Sequence, residues 1–423
     1  FLCFSFFFLL IKKGEKRESI LYQTKTVRTD IMFSDRFDWD QSPNALSLLL
    51  RDKKRRGETV VDLTESNPTR VGLTYDVDTI LEALSQPAAM EYAPDPCGLL
   101  IARQAIAKYY RERGASIDTD ALFLSAGTSD AYSILFKLLG NPGDEILIPR
   151  PGYPLLSYLA RLDNLRACAY PLRYDTAEGW SIDLDVLQAL ITPQTRAIVL
   201  VDPNNPTGSY VKQTEWKAID AMCRRHDLAL IVDEVFYDYG AGGAAGSMPA
   251  HPNRFESLTF VLNGFSKMMG LPQVKLGWIV VGGDSDLSSA ARSRLETLLD
   301  FYLSVATPVQ HAAERLLDRR HAVQRQILSR IDANSRFLEE RIASTGNCRV
   351  LQREGGWYAV VDILDMVSDE ERVIHLLKHD NTLVHPGFFY DFNREGFVVV
   401  SLLSGEDAFR SGVSRMIGRY GHK

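Results

Sequence analysis

An α/β fold is predicted, with a mostly parallel sheet covered by helices on both faces and a smaller α+β domain after it. Three observations point there. Short apolar runs rich in β-branched residues alternate with helical stretches through the middle of the chain, and those runs are apolar at nearly every position, as in strands buried on both faces. The composition is that of a globular chain: 423 residues, 45% apolar, 24% charged, with a formal net charge of −6. At about 150 residues per domain this length makes two or three domains. The same figures exclude a disordered, collagen-like or multi-span membrane protein. They also leave no basic surplus of the kind nucleic-acid binding favours.

Residues 1–11, FLCFSFFFLLI, form an apolar run followed by Lys12, Lys13, Lys16 and Arg17. A bilayer span takes about 20 residues, and a secretory signal carries its positive charges before the apolar run. Residues 1–31 are therefore expected to be a disordered or upstream-translated extension, with a short anchoring signal as the other reading. Met32 opens the part that reads as an enzyme. Asn44 to Arg56 is helical in pattern, and Gly57 ends it. VVDLTESNP at 60–68 is a short strand running into a loop, and helices follow at 78–86 and 97–113.

The alternation then begins. Strands are expected at ALFLS (121–125), EILIP (145–149), AIVLV (197–201), LALIV (228–232), SLTFV (257–261) and GWIVVGG (277–283). Helices are expected at 129–140, 154–162, 183–191 and 213–226, with long ones over 284–343. The tail from 348 reads as strand, helix (370–379), two strands and helix (406–419), a small α+β domain.

Several chemistries find no support. The five cysteines are odd in number, widely spaced and form no CxxC pair, so a reducing compartment such as the cytoplasm fits better than a disulfide framework or zinc site. No HExxH or GxxxxGK[ST] occurs, and no metal site is expected. GAGGAAG at 240–246 misses the dinucleotide spacing and reads as a loop.

Ligands of α/β sheets sit at the carboxyl ends of strands. The first such end is Ser125-Ala126-Gly127-Thr128-Ser129-Asp130, opening a helix. Small residues there expose N–H groups where the helix dipole is positive, which makes either a phosphate cradle or an ordinary helix cap. The next ends place Tyr153, then Asn205 in a double-proline turn, then Asp233-Glu234, then Ser266-Lys267. A lysine, an acid, an amide, an aromatic ring and a phosphate cradle converge on one edge. Pyridoxal phosphate needs each of them: an amine for its aldehyde, an acid for its ring nitrogen, a donor for its phenolic oxygen and a ring on its face.

The combination of NNPTG (204–208), VDE (232–234) and GFSKxxGLPxxKLGW (264–278) closely resembles the class I/II aminotransferases of the aspartate aminotransferase superfamily, fold type I pyridoxal-phosphate enzymes. The resemblance covers roughly residues 57–420. It implies a mostly parallel seven-stranded sheet in a large cofactor-binding domain (78–305), preceded by a segment (32–77) that packs with a small carboxyl-terminal domain (306–423, including its linking helix). It implies that Lys267 forms the Schiff base and moves the 1,3-proton. Asp233 would pair with the pyridine nitrogen, Asn205 with the phenolic oxygen, and Tyr153 would stack on the ring. Gly127, Thr128, Ser129, Ser266 and Lys275 would hold the phosphate. Tyr92 matches the tyrosine that reaches the neighbouring subunit's phosphate, which implies a homodimer. No membrane and no nucleic-acid partner is implied.

Four positions depart from the family pattern. Phe236 stands where a tyrosine usually bonds the phenolic oxygen, with Tyr237 beside it. Gly264 replaces a usual serine. Lys275 replaces a phosphate-binding arginine, a point charge in place of a fork. Val399 replaces the arginine that holds the substrate α-carboxylate in a pattern like xRxS. Arg70 is the preferred substitute; Arg394 and Arg353 are the others. The activity implied is transfer of an amino group between an L-amino acid and a 2-oxo acid. A β-lyase or decarboxylase shares nearly every cofactor contact. A regulatory module with this domain would need a DNA-binding segment, for which residues 1–56 are too short.

Overall fold

The computed structural model describes residues 32–34, 36, 43–241 and 254–421. The expectations for residues 1–31 and for most of the glycine cluster at 240–246 lie outside the described residues. The amino-terminal segment holds α1 (Ala45–Arg55), β1 (Val61–Asp62) and α2 (Val77–Leu84). Asn44 starts α1 by accepting the Ser47 N–H at 2.8 Å, as an N-cap should. Then come α3 (Leu100–Glu112), β2 (Leu122–Ser125), α4 (Thr128–Leu139), β3 (Glu145–Arg150) and α5 (Leu155–Leu162). A hairpin follows, β4 (Arg166–Asp175) and β5 (Gly179–Ile182), with α6 (Leu184–Ala189) after it.

The alternation continues with β6 (Thr195–Val201), α7 (Gln213–Arg225), β7 (Ala229–Asp233), β8 (Thr259–Gly264), the single turn α8 (Phe265–Met268) and β9 (Gly277–Gly282). Two helices, α9 (Ser285–Asp300) and the 37-residue α10 (Thr307–Ala343), lead to the last part. That part comprises β10 (Cys348–Val350), β11 (Tyr358–Ile363), α11 (Asp369–Asp380), β12 (Thr382–Leu383), β13 (His385–Pro386), β14 (Phe397–Ser401) and α12 (Glu406–Tyr420).

The large sheet runs β2-β9-β8-β7-β6-β3-β4-β5. Pairs β3–β4, β3–β6, β6–β7 and β7–β8 are parallel; β2–β9, β8–β9 and β4–β5 are antiparallel. The sheet thus has one strand more than the seven that the family resemblance implies, because β5 folds back on β4 as an edge. Alternate residues of one strand enter opposite cores. Leu147, Ile198 and Leu200 join one cluster, while Ile146, Ile148, Ala197 and Val199 join the other. That explains why these strands are apolar at nearly every position. Helices α4, α5 and α9 supply the second cluster; α3, α7 and α10 supply the first.

Strands β2, β3, β6, β7 and β8 point the same way, so their carboxyl ends share one edge of the sheet. The small sheet, β10-β11-β14-β13, is antiparallel. The amino-terminal β1 pairs in parallel with β12, tying that segment to the carboxyl-terminal part of the chain. Among the described residues no helix is long and apolar enough to cross a membrane.

Candidate active site

A cavity of about 140 Å³ opens where the strand ends converge. Lys267, Asp233, Asn205 and Tyr153 all line it, as do Gly127, Thr128, Ser129, Ser266 and Lys275. Five segments that are far apart in sequence therefore meet in one place.

Lys267 sits in the turn α8, directly after β8. Its Nζ lies 5.5 Å from the Phe236 ring centre and 5.7 Å from that of Trp357. Burial between these rings disfavours the ammonium and lowers its pKa to about 8, against a partial counter-pull from the Asp233 charge. An amine so tuned reaches its neutral, nucleophilic form as pH rises through about 8, well below where an ordinary lysine does.

Asp233 ends β7 and is 7% exposed. Burial raises its pKa to about 6. Two donors oppose that rise: the Val235 N–H at 3.0 Å from Oδ1 and the Tyr132 hydroxyl at 3.0 Å from Oδ2. A cation placed against this carboxylate would pull it further toward the ionised form. Asn205 also faces the cavity, and its Oδ1 is buried without a hydrogen-bond partner among the described residues. A buried amide oxygen left open at a cavity wall is a group waiting for a ligand.

The segment expected to cradle an anion lies at the start of α4. Gly127 has φ of 152°, in the region that favours glycine. A Cβ there would lie 3.9 Å from Lys275 Nζ, so the ammonium stands over the cradle. Gly264 has extended geometry, but a Cβ at that position would meet the Leu276 carbonyl oxygen at 2.8 Å. The close β8–β9 approach therefore excludes the usual serine.

Phe236 is buried against Trp357, with ring centres 5.4 Å apart. Tyr237 does not replace the missing hydroxyl: its ring packs 3.7 Å from the Arg113 guanidinium, and it does not line the cavity. Tyr92 is 79% exposed and lines a separate cleft with Pro94 and Leu303. Arg70 is exposed at the end of a short 3₁₀ turn and does not line the cavity. Arg394 is paired with Asp362 at 2.7 Å, and Arg353 donates to the Gly356 carbonyl at 3.5 Å; neither lines the cavity. Val399 is fully buried in β14 between Val360 and His385. Lys267 and Lys275 are thus the cations that line the cavity among the described residues.

Three polar wall residues escape the sequence reading. Tyr132 follows Thr128 by four residues, so the helical period of α4 could have pointed it at the same site. Ser66 and Tyr358, hydrogen-bonded to each other, come from the amino-terminal segment and from β11. Only the tertiary fold brings them here.

Known proteins resemble this chain in sequence and fold. Residues 58–407 match the family model for aminotransferase class I and II. The chain is 31% identical over 274 residues to the glutamate-pyruvate aminotransferase AlaA of Escherichia coli strain K12, covering 64% of this chain and 67% of that one. It superposes on the crystal structure of an aminotransferase from Escherichia coli with a TM-score of 0.78 at 25% identity, covering 89% of this chain and 95% of that one. An alanine aminotransferase from Pyrococcus furiosus, at 23% identity, shares the fold with a TM-score of 0.79 over 89% and 95% of the two chains. The chain belongs to the class I and II aminotransferases, transaminases of fold type I that depend on pyridoxal phosphate.

Proposed function

We propose that this chain moves an amino group between an L-amino acid and a 2-oxo acid, with Lys267 as the amine that carries the cofactor and transfers the proton. The observation that carries this reading is the buried Lys267, its pKa lowered to about 8, in one cavity with the buried carboxylate of Asp233. The residues present fit pyridoxal phosphate: the Asn205 amide faces the cavity, where its Nδ2 can donate to a phenolic oxygen, and Gly127 leaves a cradle beneath Lys275. When bound, that cofactor supplies the electron sink for the substrate's α-carbon. Asp233 would hold the ring-nitrogen proton, and Asn205 would bond the phenolic oxygen. Tyr153 would cover one face of the ring. Gly127, Thr128, Ser129, Ser266 and Lys275 would hold the phosphate. Tyr92 would act from a second copy of the chain in a homodimer. The domain limits at 78–305 and 306–423, and a cytoplasmic setting, belong to the same reading; the pairing of β1 with β12 supports the placing of segment 32–77.

Because relatives are named for glutamate and pyruvate, L-glutamate and L-alanine are the first donors to test. The test mixes the cofactor-loaded protein with each amino acid and follows loss of the cofactor's visible absorbance. Release of the matching 2-oxo acid supports transamination. The absence of an arginine from the described cavity wall favours a second reading, a β-lyase or decarboxylase. Pyruvate and ammonia from a β-substituted amino acid, or carbon dioxide, without any 2-oxo acid acceptor would support that one.

Two smaller tests arise here. Tyr132→Phe removes one donor to the Asp233 carboxylate, a bond of about 1.5–3 kcal/mol when one partner is charged. The acid limb of the pH–rate profile should rise by about one unit and kcat/KM should fall about tenfold. An unmoved acid limb would show that Tyr132 only fills space. Arg70→Ala should leave every amino-acid KM unchanged, since Arg70 lies outside the cavity wall; a several-fold rise would bring Arg70 back as the carboxylate partner.

The depressed Lys267 pKa gives a pH signature. Cofactor capture by the apo-protein needs the neutral amine, which forms as pH rises through about 8. The capture rate should therefore climb up to pH of about 8 and level off above it. A rate still climbing at pH of about 10, where an ordinary lysine titrates, would contradict the buried amine.

A further inference from the structure

We propose that the cleft between the β4–β5 hairpin and the small sheet is a second ligand site, taking an anion that carries a planar ring, and that its ligand joins the two domains. The cleft has a volume of about 520 Å³, against about 140 Å³ for the active-site cavity. That is the size of small-molecule pockets in general.

Its charge is one-sided. Arg150 and Arg173 line it from the large sheet, Arg349 and Arg394 from the carboxyl-terminal part. No acid lines it among the described residues. The partners of these arginines stand outside the lining: Asp391 for Arg150 at 3.1 Å, Asp183 for Arg173, and the single Asp362 for both Arg349 and Arg394, each at 2.7 Å. Four guanidiniums thus share three carboxylates. Two of them converge on one oxygen of Asp362, a fully buried side chain. Each guanidinium has five N–H donors, and these pairings leave several per side chain open to an anion.

The walls are aromatic. Tyr174 and Trp180 lie with ring centres 5.0 Å apart, and Phe392 and Phe397 lie 4.4 Å apart. Trp180 meets Phe392 at 6.3 Å, so the rings run continuously across the cleft. Arg394 already stacks on Phe397 at 4.1 Å. Trp180 is 5% exposed, and its Nε1–H has no hydrogen-bond partner among the described residues. Rings in this arrangement accept a planar ligand by offset or edge contact. Guanidiniums beside them suit a phosphate or carboxylate.

The cleft also touches the segments that carry the active site. Arg150 Nε donates to the Asp391 carbonyl at 2.8 Å, and the Gly152 N–H donates to the Tyr390 carbonyl at 3.0 Å. Tyr153, the next residue, lines the active-site cavity, as does Tyr358, whose ring packs 6.3 Å from Tyr390. A ligand bridging Arg150 and Arg173 to Arg349 and Arg394 would fix the docking of residues 387–394 against residues 150–153.

The experiment is calorimetric titration of the cofactor-loaded protein with phenyl phosphate, benzoate, adenosine monophosphate and inorganic phosphate. We expect at least one ring-bearing anion to bind at least about tenfold tighter than inorganic phosphate. The Arg173→Ala/Arg349→Ala variant should bind it about a hundredfold more weakly, tenfold for each guanidinium removed from the anion. That variant should keep the wild-type transamination rate, which also shows that it folds. The ligand should raise the melting temperature of the wild type and not of the variant. Preference for adenosine monophosphate would identify a nucleotide, and preference for benzoate or phenyl phosphate a simple aryl anion; either supports the site. No heat with any probe at millimolar concentration, equal binding to the variant, or equal affinity for inorganic phosphate would overturn it. Should the variant lose its activity, Arg349→Lys, which keeps the pairing with Asp362, takes its place and is expected to bind about tenfold more weakly; unchanged binding would again overturn the proposal.

Discussion

Lys267→Ala should lower the transamination rate by at least about 10⁴-fold while the chain stays folded, because it removes a nucleophile and a proton carrier in one step. The residue contributes nothing to the fold that alanine would forfeit heavily. Its amine is buried, and the lowered pKa records that the surroundings disfavour its charge. The apo-variant should therefore melt no lower than the wild type by more than a few degrees. Cofactor affinity should fall as well, since the covalent link would be lost and only the noncovalent contacts would be left to hold it. The measurement is single-turnover rate beside thermal unfolding. A variant retaining a tenth of the activity would remove Lys267 from the chemistry, and a collapse of the fold would contradict the reading of this lysine as dispensable to packing.

Asp233→Asn is expected to lower kcat by about 10²–10³-fold, the usual effect of removing one preorganised electrostatic partner. The substitution is nearly isosteric. The Val235 N–H and the Tyr132 hydroxyl can still donate to the amide oxygen, so the shape of the site survives. What goes is the negative charge that would keep a ring-nitrogen proton in place. Asp233→Glu should recover part of the rate, because it restores the charge at a displaced position. The two variants separate charge from geometry: equal losses in both would mean that position, not ionisation, is what matters. The pH profile adds a check, since the limb that reports Asp233 should vanish in the asparagine variant.

Much of this is legible in the chain itself. The apolar runs at 145–149, 197–201 and 228–232 become β3, β6 and β7 because both of their faces are covered, which leaves no polar alternation to confuse the reading. The residues just past those runs are readable as a site for the same reason: a polar cluster at the end of a fully buried strand has few structural uses. The hairpin β4–β5 is not legible. Its sequence, RACAYPLRYD followed by GWSI, mixes arginines, a proline and half-buried positions, as an edge strand does. Ser66 and Tyr358 are hidden because they reach the cavity from segments remote in the chain. Gly264 reads in the sequence as a missing phosphate donor, and only the 2.8 Å approach of the Leu276 carbonyl shows why a side chain is excluded. The arginines of the second cleft give no signal either, since Arg150, Arg173 and Arg349 come from three strands of the two sheets and Arg394 from the loop before β14.

One buried amine, at position 267, is held here to carry the cofactor, and the chemistry stands or falls with it. The decisive step is to load the purified protein with pyridoxal phosphate, reduce with borohydride, digest, and locate the added mass by peptide sequencing. The expected outcome is a yellow protein before reduction and one modified residue afterwards, Lys267, with Lys275 unlabelled. A colourless protein, or a label that falls on Lys275 or is spread over surface lysines while Lys267 stays free, would refute the assignment.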